Sequence, residues 1–189
     1  RQSEIHMAYG GIFPLLKDFN VPAHEKDELP TITYDKKMYL YEGDETIIIY
    51  YFGKGHTDGD SIIKFKNANV VHTGDSFIEY GLPYIDISNG GSIIGFINSL
   101  DEIINICDKN TIIIPGHGGL SDVSKVINFR DGLQHYYTKT MEGYKSGMSV
   151  EEIRSSINIK LGETSSFGEP IEVKTNFIKS ILLENNIIL

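Results

Sequence analysis

Three short β-prone runs, each ending at glycines beside a metal-type donor, constrain this chain more than any other feature. Thr46–Phe52 leads into Gly53-Lys54-Gly55-His56-Thr57-Asp58-Gly59-Asp60-Ser61. Val70–His72 leads into Thr73-Gly74-Asp75-Ser76, and Thr111–Pro115 into Gly116-His117-Gly118. Glycine allows sharp turns and close backbone approach, and strand ends hold side chains rigidly enough to build a site. His56, Asp75 and His117 are therefore the candidate metal ligands. Two neutral imidazoles and a carboxylate suit zinc, with iron or manganese as alternatives.

The rest of the pattern describes a sheet covered by helices. Thr31–Tyr34, Lys37–Tyr41 and Ser61–Phe65 are further strand-like runs, and Lys66-Asn67-Ala68-Asn69 reads as a hairpin turn. Ile12–Phe19 is expected to form a short helix. Ser92–Cys107 carries Ile93, Phe96, Ile97, Leu100, Ile103 and Ile104 at helical spacing. Ser121 is expected to cap a long helix that turns Val126, Arg130, Leu133, Tyr137 and Tyr144 to one side and ends near Gly147. Ser149-Val150-Glu151-Glu152 has capping-box spacing, and Glu172–Glu184 is a last helix. Strands, a helix, a strand and more helices in that order give an α/β (α+β) domain rather than a bundle or a β-sandwich.

Composition removes several function classes. The chain has 189 residues with 17 basic and 26 acidic side chains, a formal charge of −9, so a phosphate backbone would be repelled and nucleic acid is not an expected partner. No apolar run reaches the 18 residues of a membrane span, so no membrane association is expected. The lone Cys107 rules out an internal disulfide and a thiolate-rich zinc site, and its place in an apolar stripe points to a buried structural thiol.

Around the three ligands lie weaker candidates. Asp58 and Asp60 are placed to orient the His56 ring, since a metal-bound imidazole donates its other N–H to a carboxylate or carbonyl; stabilising the turn is the competing role for Asp60. His72, on the strand before Asp75, reads as a buried or orienting histidine rather than a ligand. Tyr80 and Tyr84, with Leu82 and Pro83 between them, are candidates to line a pocket for a small-molecule substrate. Packing of the two aromatic rings on the sheet is the alternative.

Gly55-His56-Thr57 followed by Gly59-Asp60-Ser61, then Thr73-Gly74-Asp75, then Pro115-Gly116-His117-Gly118 resembles the later motifs of the metallo-β-lactamase superfamily. The likeness runs over residues 30–145, through the Gly90-Gly91-Ser92 turn, and is strongest to the bacterial hydrolases with Asp at the bridging position. It implies an αββα sandwich with a dinuclear zinc site at one edge. His56 would complete the ligands of the first metal, His117 would bind the second, and Asp75 would bridge them. The implied reaction is hydrolysis by metal-activated water at a lactam, ester, lactone or thioester carbonyl.

The first motif of that superfamily, His-x-His-x-Asp-His, does not occur in these 189 residues. Residues 1–189, which begin at Arg1 rather than Met, are thus expected to form the C-terminal part of one metallo-β-lactamase-like domain. The remaining ligands would come from a separate N-terminal segment or partner chain. A glyoxalase-II-like thioesterase is the alternative within the fold. A non-catalytic fragment, or one piece of a split or domain-swapped assembly, is the alternative outside catalysis.

Overall fold

The computed structural model describes residues 7–8, 10–13, 19–158 and 170–187. Its main element is a six-stranded sheet in the order β3 (Lys37–Glu42), β4 (Glu45–Tyr50), β5 (Ile62–Phe65), β6 (Val70–Ile78), β7 (Ile112–His117), β8 (Ser121–Asp122). Neighbouring strands are antiparallel except β6 and β7, which run parallel. A parallel pair needs a long crossover, and α1 (Ile93–Ile106) supplies it. Both strands therefore end on the same side of the sheet, carrying Asp75 and His117 with them.

Further along the described residues come α2 (Val123–Lys145), α3 (Val150–Ser156) and α4 (Pro170–Glu184). Period-two alternation divides the sheet into two faces. Ile48, Tyr50, Ile62, Val71 and Ile113 are buried in one core with Phe96, Leu100 and Ile103 of α1 and Val126, Phe129 and Leu133 of α2. Ile47, Ile49, Ile63, Phe65, Val70 and Ile114 line the other face and are only half-buried, while Ile112 beside them is 45% exposed.

Local chemistry explains most boundaries. Ser92 caps α1 by accepting from Gly95 N–H at 2.9 Å, and Ser149 with Glu152 closes the expected capping box on α3. The turn after β5 is held by the Glu45 carboxylate, which accepts from Asn67 N–H (2.8 Å) and Ala68 N–H (2.9 Å). These backbone donors, Asn67 foremost, hold the Glu45 carboxyl below its ordinary pKa.

Four expectations need correction. Ile12–Phe19 is not a helix at either end: β1 (Gly11–Phe13) pairs antiparallel with β2 (Phe19–Val21), and residues 14–18 lie outside the described ones. Thr31–Tyr34 forms no ladder; it stays irregular, and the Tyr34 hydroxyl is 2.6 Å from Ser61 Oγ. The cap of α2 is Asp122, which accepts from Lys125 N–H at 3.1 Å, one residue later than Ser121 in the short strand β8 that the two form together. The buried side of α2 is Val126, Phe129, Leu133, Tyr136 and Thr140. Arg130 sits on its flank, ion-paired with Asp101 and Asp131, and Tyr144 is exposed.

Candidate metal centre

His56 lies on the loop after β4, and that loop is clasped by the segment before α1. Asp86 N–H donates to His56 O at 2.9 Å, Ser92 N–H to Gly55 O at 2.9 Å, and Asp58 N–H to Asn89 O at 2.9 Å. Gly91 makes the clasp possible, since a Cβ there would lie 2.5 Å from His56 O. Inside the loop the Asp60 carboxylate accepts from the Thr57 hydroxyl at 2.7 Å and from Thr57 N–H. Burial pushes the Asp60 carboxyl up, and the Thr57 hydrogen bonds oppose that shift.

The His56 ring is oriented by a backbone group. Nδ1 stands 2.7 Å from Tyr84 O. A carbonyl oxygen only accepts, so Nδ1 carries the proton and the Nε2 lone pair is left for another partner. Nε2 faces Asp75 Oδ2 at 3.6 Å, while His117 Nε2 faces the other carboxylate oxygen, Oδ1, at 3.4 Å. Both separations are too long for good hydrogen bonds. They match the spacing of about 3.3 Å expected between two donors that share a tetrahedral zinc with bonds of about 2.0–2.1 Å.

Asp75 reaches this position because β6 is irregular. Its register against β7 shifts between His72 and Gly74 and again between Gly74 and Ile78, with Gly74 at a φ of 51°. Such bulges re-aim a side chain. His72, two residues before Gly74, turns back on its own strand and accepts from Gly74 N–H at 3.0 Å. Beyond His117, Gly119 N–H donates to Glu79 Oε2 at 2.9 Å, and Glu79 is ion-paired with Lys125 of α2.

No family model matches the chain. It is 27% identical over 85 residues to a protein of Mycobacterium tuberculosis whose name assigns no function, across 42% of this chain and 38% of that protein. The Mycobacterium bovis counterpart gives the same figures. The chain thus spans well under half the length of these relatives. Among solved structures it superposes on a double mutant of a sec-alkyl sulfatase with a TM-score of 0.61, at 11% identity over 87% of this chain and 28% of that one. A metallo-beta-lactamase family protein from Thermus thermophilus gives 0.59, at 15% identity over 88% of this chain and 52% of that one. The chain has the metallo-β-lactamase fold. Identities this low speak for the fold alone.

Within this metallo-β-lactamase fold the donors fit a metal pair in kind and fall short in number. His56 Nε2 with Asp75 Oδ2 is one two-donor set, and His117 Nε2 with Asp75 Oδ1 is the other. A catalytic zinc takes about three protein ligands. Among the described residues, no group of three or more His, Cys, Asp or Glu side chains is arranged to hold a metal ion.

Of the other sequence candidates, Tyr80 and Tyr84 join His56, Asp75 and His117 in the lining of one open cavity, with about 680 Å³ of space including adjoining solvent. Asp58 and Asp60 do not line it, and neither does His72. Nδ1 of the His56 ring meets the Tyr84 carbonyl. Burial, aided by the Asp86 carboxylate, pushes the Tyr84 phenol well above its ordinary pKa, so it stays neutral. Sequence reasoning missed the far wall of the cavity, Val173, Asn176, Phe177 and Ser180 of α4. Their spacing of three, four and seven residues is that of one helix face, but nothing in the sequence says which face meets the site.

Proposed function

We propose that this chain carries half of the metal site of a metal-dependent hydrolase, with zinc as the metal that suits its donors best. His56 and Asp75 Oδ2 would hold one ion, and His117 and Asp75 Oδ1 the other. The observation that carries this reading is the pair of imidazole Nε2 atoms facing opposite oxygens of one carboxylate. Bound there, a metal pair would lower the pKa of a water and polarise a carbonyl oxygen.

The chain's own residues would fix the arrangement. The Tyr84 carbonyl selects the His56 tautomer that leaves Nε2 free to ligate. Asp75 brings the negative charge that lets two cations sit close together. Tyr80, Leu82 and Tyr84 wall the cleft beside the ligands. The substrate would be a small molecule with a lactam, ester, lactone or thioester carbonyl, the last by a glyoxalase-II-like reaction.

Two donors per ion leave each position incomplete, so the further ligands would come from another segment of the polypeptide or from a partner chain. The half-exposed apolar face of the sheet gives such a layer a surface to cover. The same shortage supports a second reading, in which the chain by itself is a non-catalytic piece of a split or domain-swapped assembly.

Replacing Asp75 in the full-length protein separates these outcomes. Asp75→Ala is expected to lose most of the bound metal and most of the hydrolysis of an ester, lactone and thioester panel. Normal zinc content and turnover in that variant would refute the assignment. Metal loss in a protein that is already inactive before substitution would favour the assembly-piece reading.

A further inference from the structure

The α4 residues that line the cavity narrow the substrate class, an inference that rests on the hydrolase reading above. Val173, Asn176, Phe177 and Ser180 form one side of the cavity and come from a single face of α4. That helix is firmly seated. Ile178, Ile181 and Leu182 are buried in the core, and the Phe177 ring packs edge-on against Tyr136 at 5.7 Å. At its C-terminal end Glu184 accepts from Ile93 N–H at 2.7 Å and from the Ser92 hydroxyl, pinning α4 to the start of α1.

The surface it offers is uncharged, with Val173 and Phe177 as its apolar part and Asn176 and Ser180 beside them. Ile78 at the end of β6 and Leu82 and Ile85 from the segment after it line the same cavity, and Ser180 uses its hydroxyl on Asn176 O at 2.9 Å. Among the described residues, no lysine or arginine lines the cavity. Lys125, the cation just beyond His117, is paired with Glu79 outside it. Positive charge would therefore be confined to the metal positions, where the reacting carbonyl must bind. A carboxylate, sulfate or phosphate elsewhere on the substrate would be desolvated against Phe177 and Val173 without a cation to pair with, whereas an alkyl or aryl-alkyl chain placed there gains from leaving water.

We propose that α4 is the acyl-binding wall of the site, and that the site takes substrates with a neutral, apolar acyl chain and rejects those with a second anionic group. Val173 and Phe177 are then specificity-determining residues, and Tyr80 and Tyr84 close the cleft from the other side.

Octanamide and octanoate test this, since they differ in charge and hardly in shape. Each is titrated into the metal-free full chain while the backbone amide signals of α4 are followed by NMR. Octanamide is expected to shift Val173, Asn176 and Phe177 and to bind at least about tenfold more tightly than octanoate, the minimum set by leaving a charge unpaired. In Val173→Arg, a change at a half-buried position, the preference should reverse. Equal or tighter binding of octanoate to the unaltered protein, or no shift in α4 with either probe, would overturn the proposal. Because the protein is metal-free, failure of the zinc assignment leaves this result standing, and failure here leaves the zinc assignment standing.

Discussion

Gly116 lies where β6 and β7 approach so closely that a Cβ would sit 2.2 Å from Asp75 Oδ1 and 2.6 Å from the Gly74 carbonyl. Gly116→Ala must therefore push the carboxylate or the backbone aside. The expected cost is about 1–3 kcal/mol in chemical denaturation, the usual range for overpacking, with weaker zinc binding alongside. Unchanged stability and unchanged zinc affinity would mean the two strands are not this close. Tyr136 makes the opposite case. Its hydroxyl is buried without a partner among the described residues, and burial pushes its phenol pKa up. Tyr136→Phe should leave stability unchanged or raise it by about 1 kcal/mol; a loss of that size in the same assay would reveal a hydrogen bond. At this scale His56, Asp75 and His117 are legible in the sequence because glycines flag each of them. The acceptor that orients His56 is not, because a backbone carbonyl has no residue type to read.

Elements depend on their ends. The capping box on α3 satisfies Glu152 N–H through Ser149 Oγ at 3.2 Å and Ser149 N–H through Glu152 at 2.8 Å. Ser149→Ala should cost about 0.5–2 kcal/mol, read from a urea melt; no change would mean α3 needs no cap. A second contact ties the end of β6 to α2. Lys125 first, and then Gly119 N–H, hold the Glu79 carboxyl below the ordinary value of 4.5. Since the folded pKa is the lower one, the contact is intact above pH 4.5 and is lost as the pH falls through the folded value. Hydrogen exchange at the Gly119 amide should therefore accelerate in acid relative to Glu79→Gln, in which it is already fast at neutral pH. Equal exchange in both proteins would remove Glu79 from this role. The helices and the central strands follow from periodicity and caps, and these agree with the fold. The cap of α2 is misread by one residue because Ser121 and Asp122 are both good caps, and residue type alone does not say after which of them the helix begins. Thr31–Tyr34 is β-prone but finds no neighbouring strand, a tertiary outcome that local propensity does not contain.

On the scale of the whole molecule, the sheet has one face sealed by α1 and α2 and one face of half-buried isoleucines, and the candidate ligands sit at the bulge of β6, at the end of β7 and on the loop after β4. Parallel pairing of β6 and β7 brings Asp75 and His117 together, and the clasped loop adds His56. Among the described helices none is long and apolar enough to cross a membrane. If the proposed centre takes zinc, zinc should raise the melting temperature, because a ligand that binds the folded state in preference to the unfolded one stabilises it.

The most direct test of the account is imidazole ¹⁵N NMR of the full chain during a zinc titration. The Nε2 signals of His56 and His117 should move together to coordinated values, while His56 Nδ1 keeps its proton. Both shifts should vanish in Asp75→Asn. Zinc-induced shifts at His72 or His135 instead, or Nε2 signals that stay put at saturating zinc, would contradict the assignment of a metal centre to these three residues.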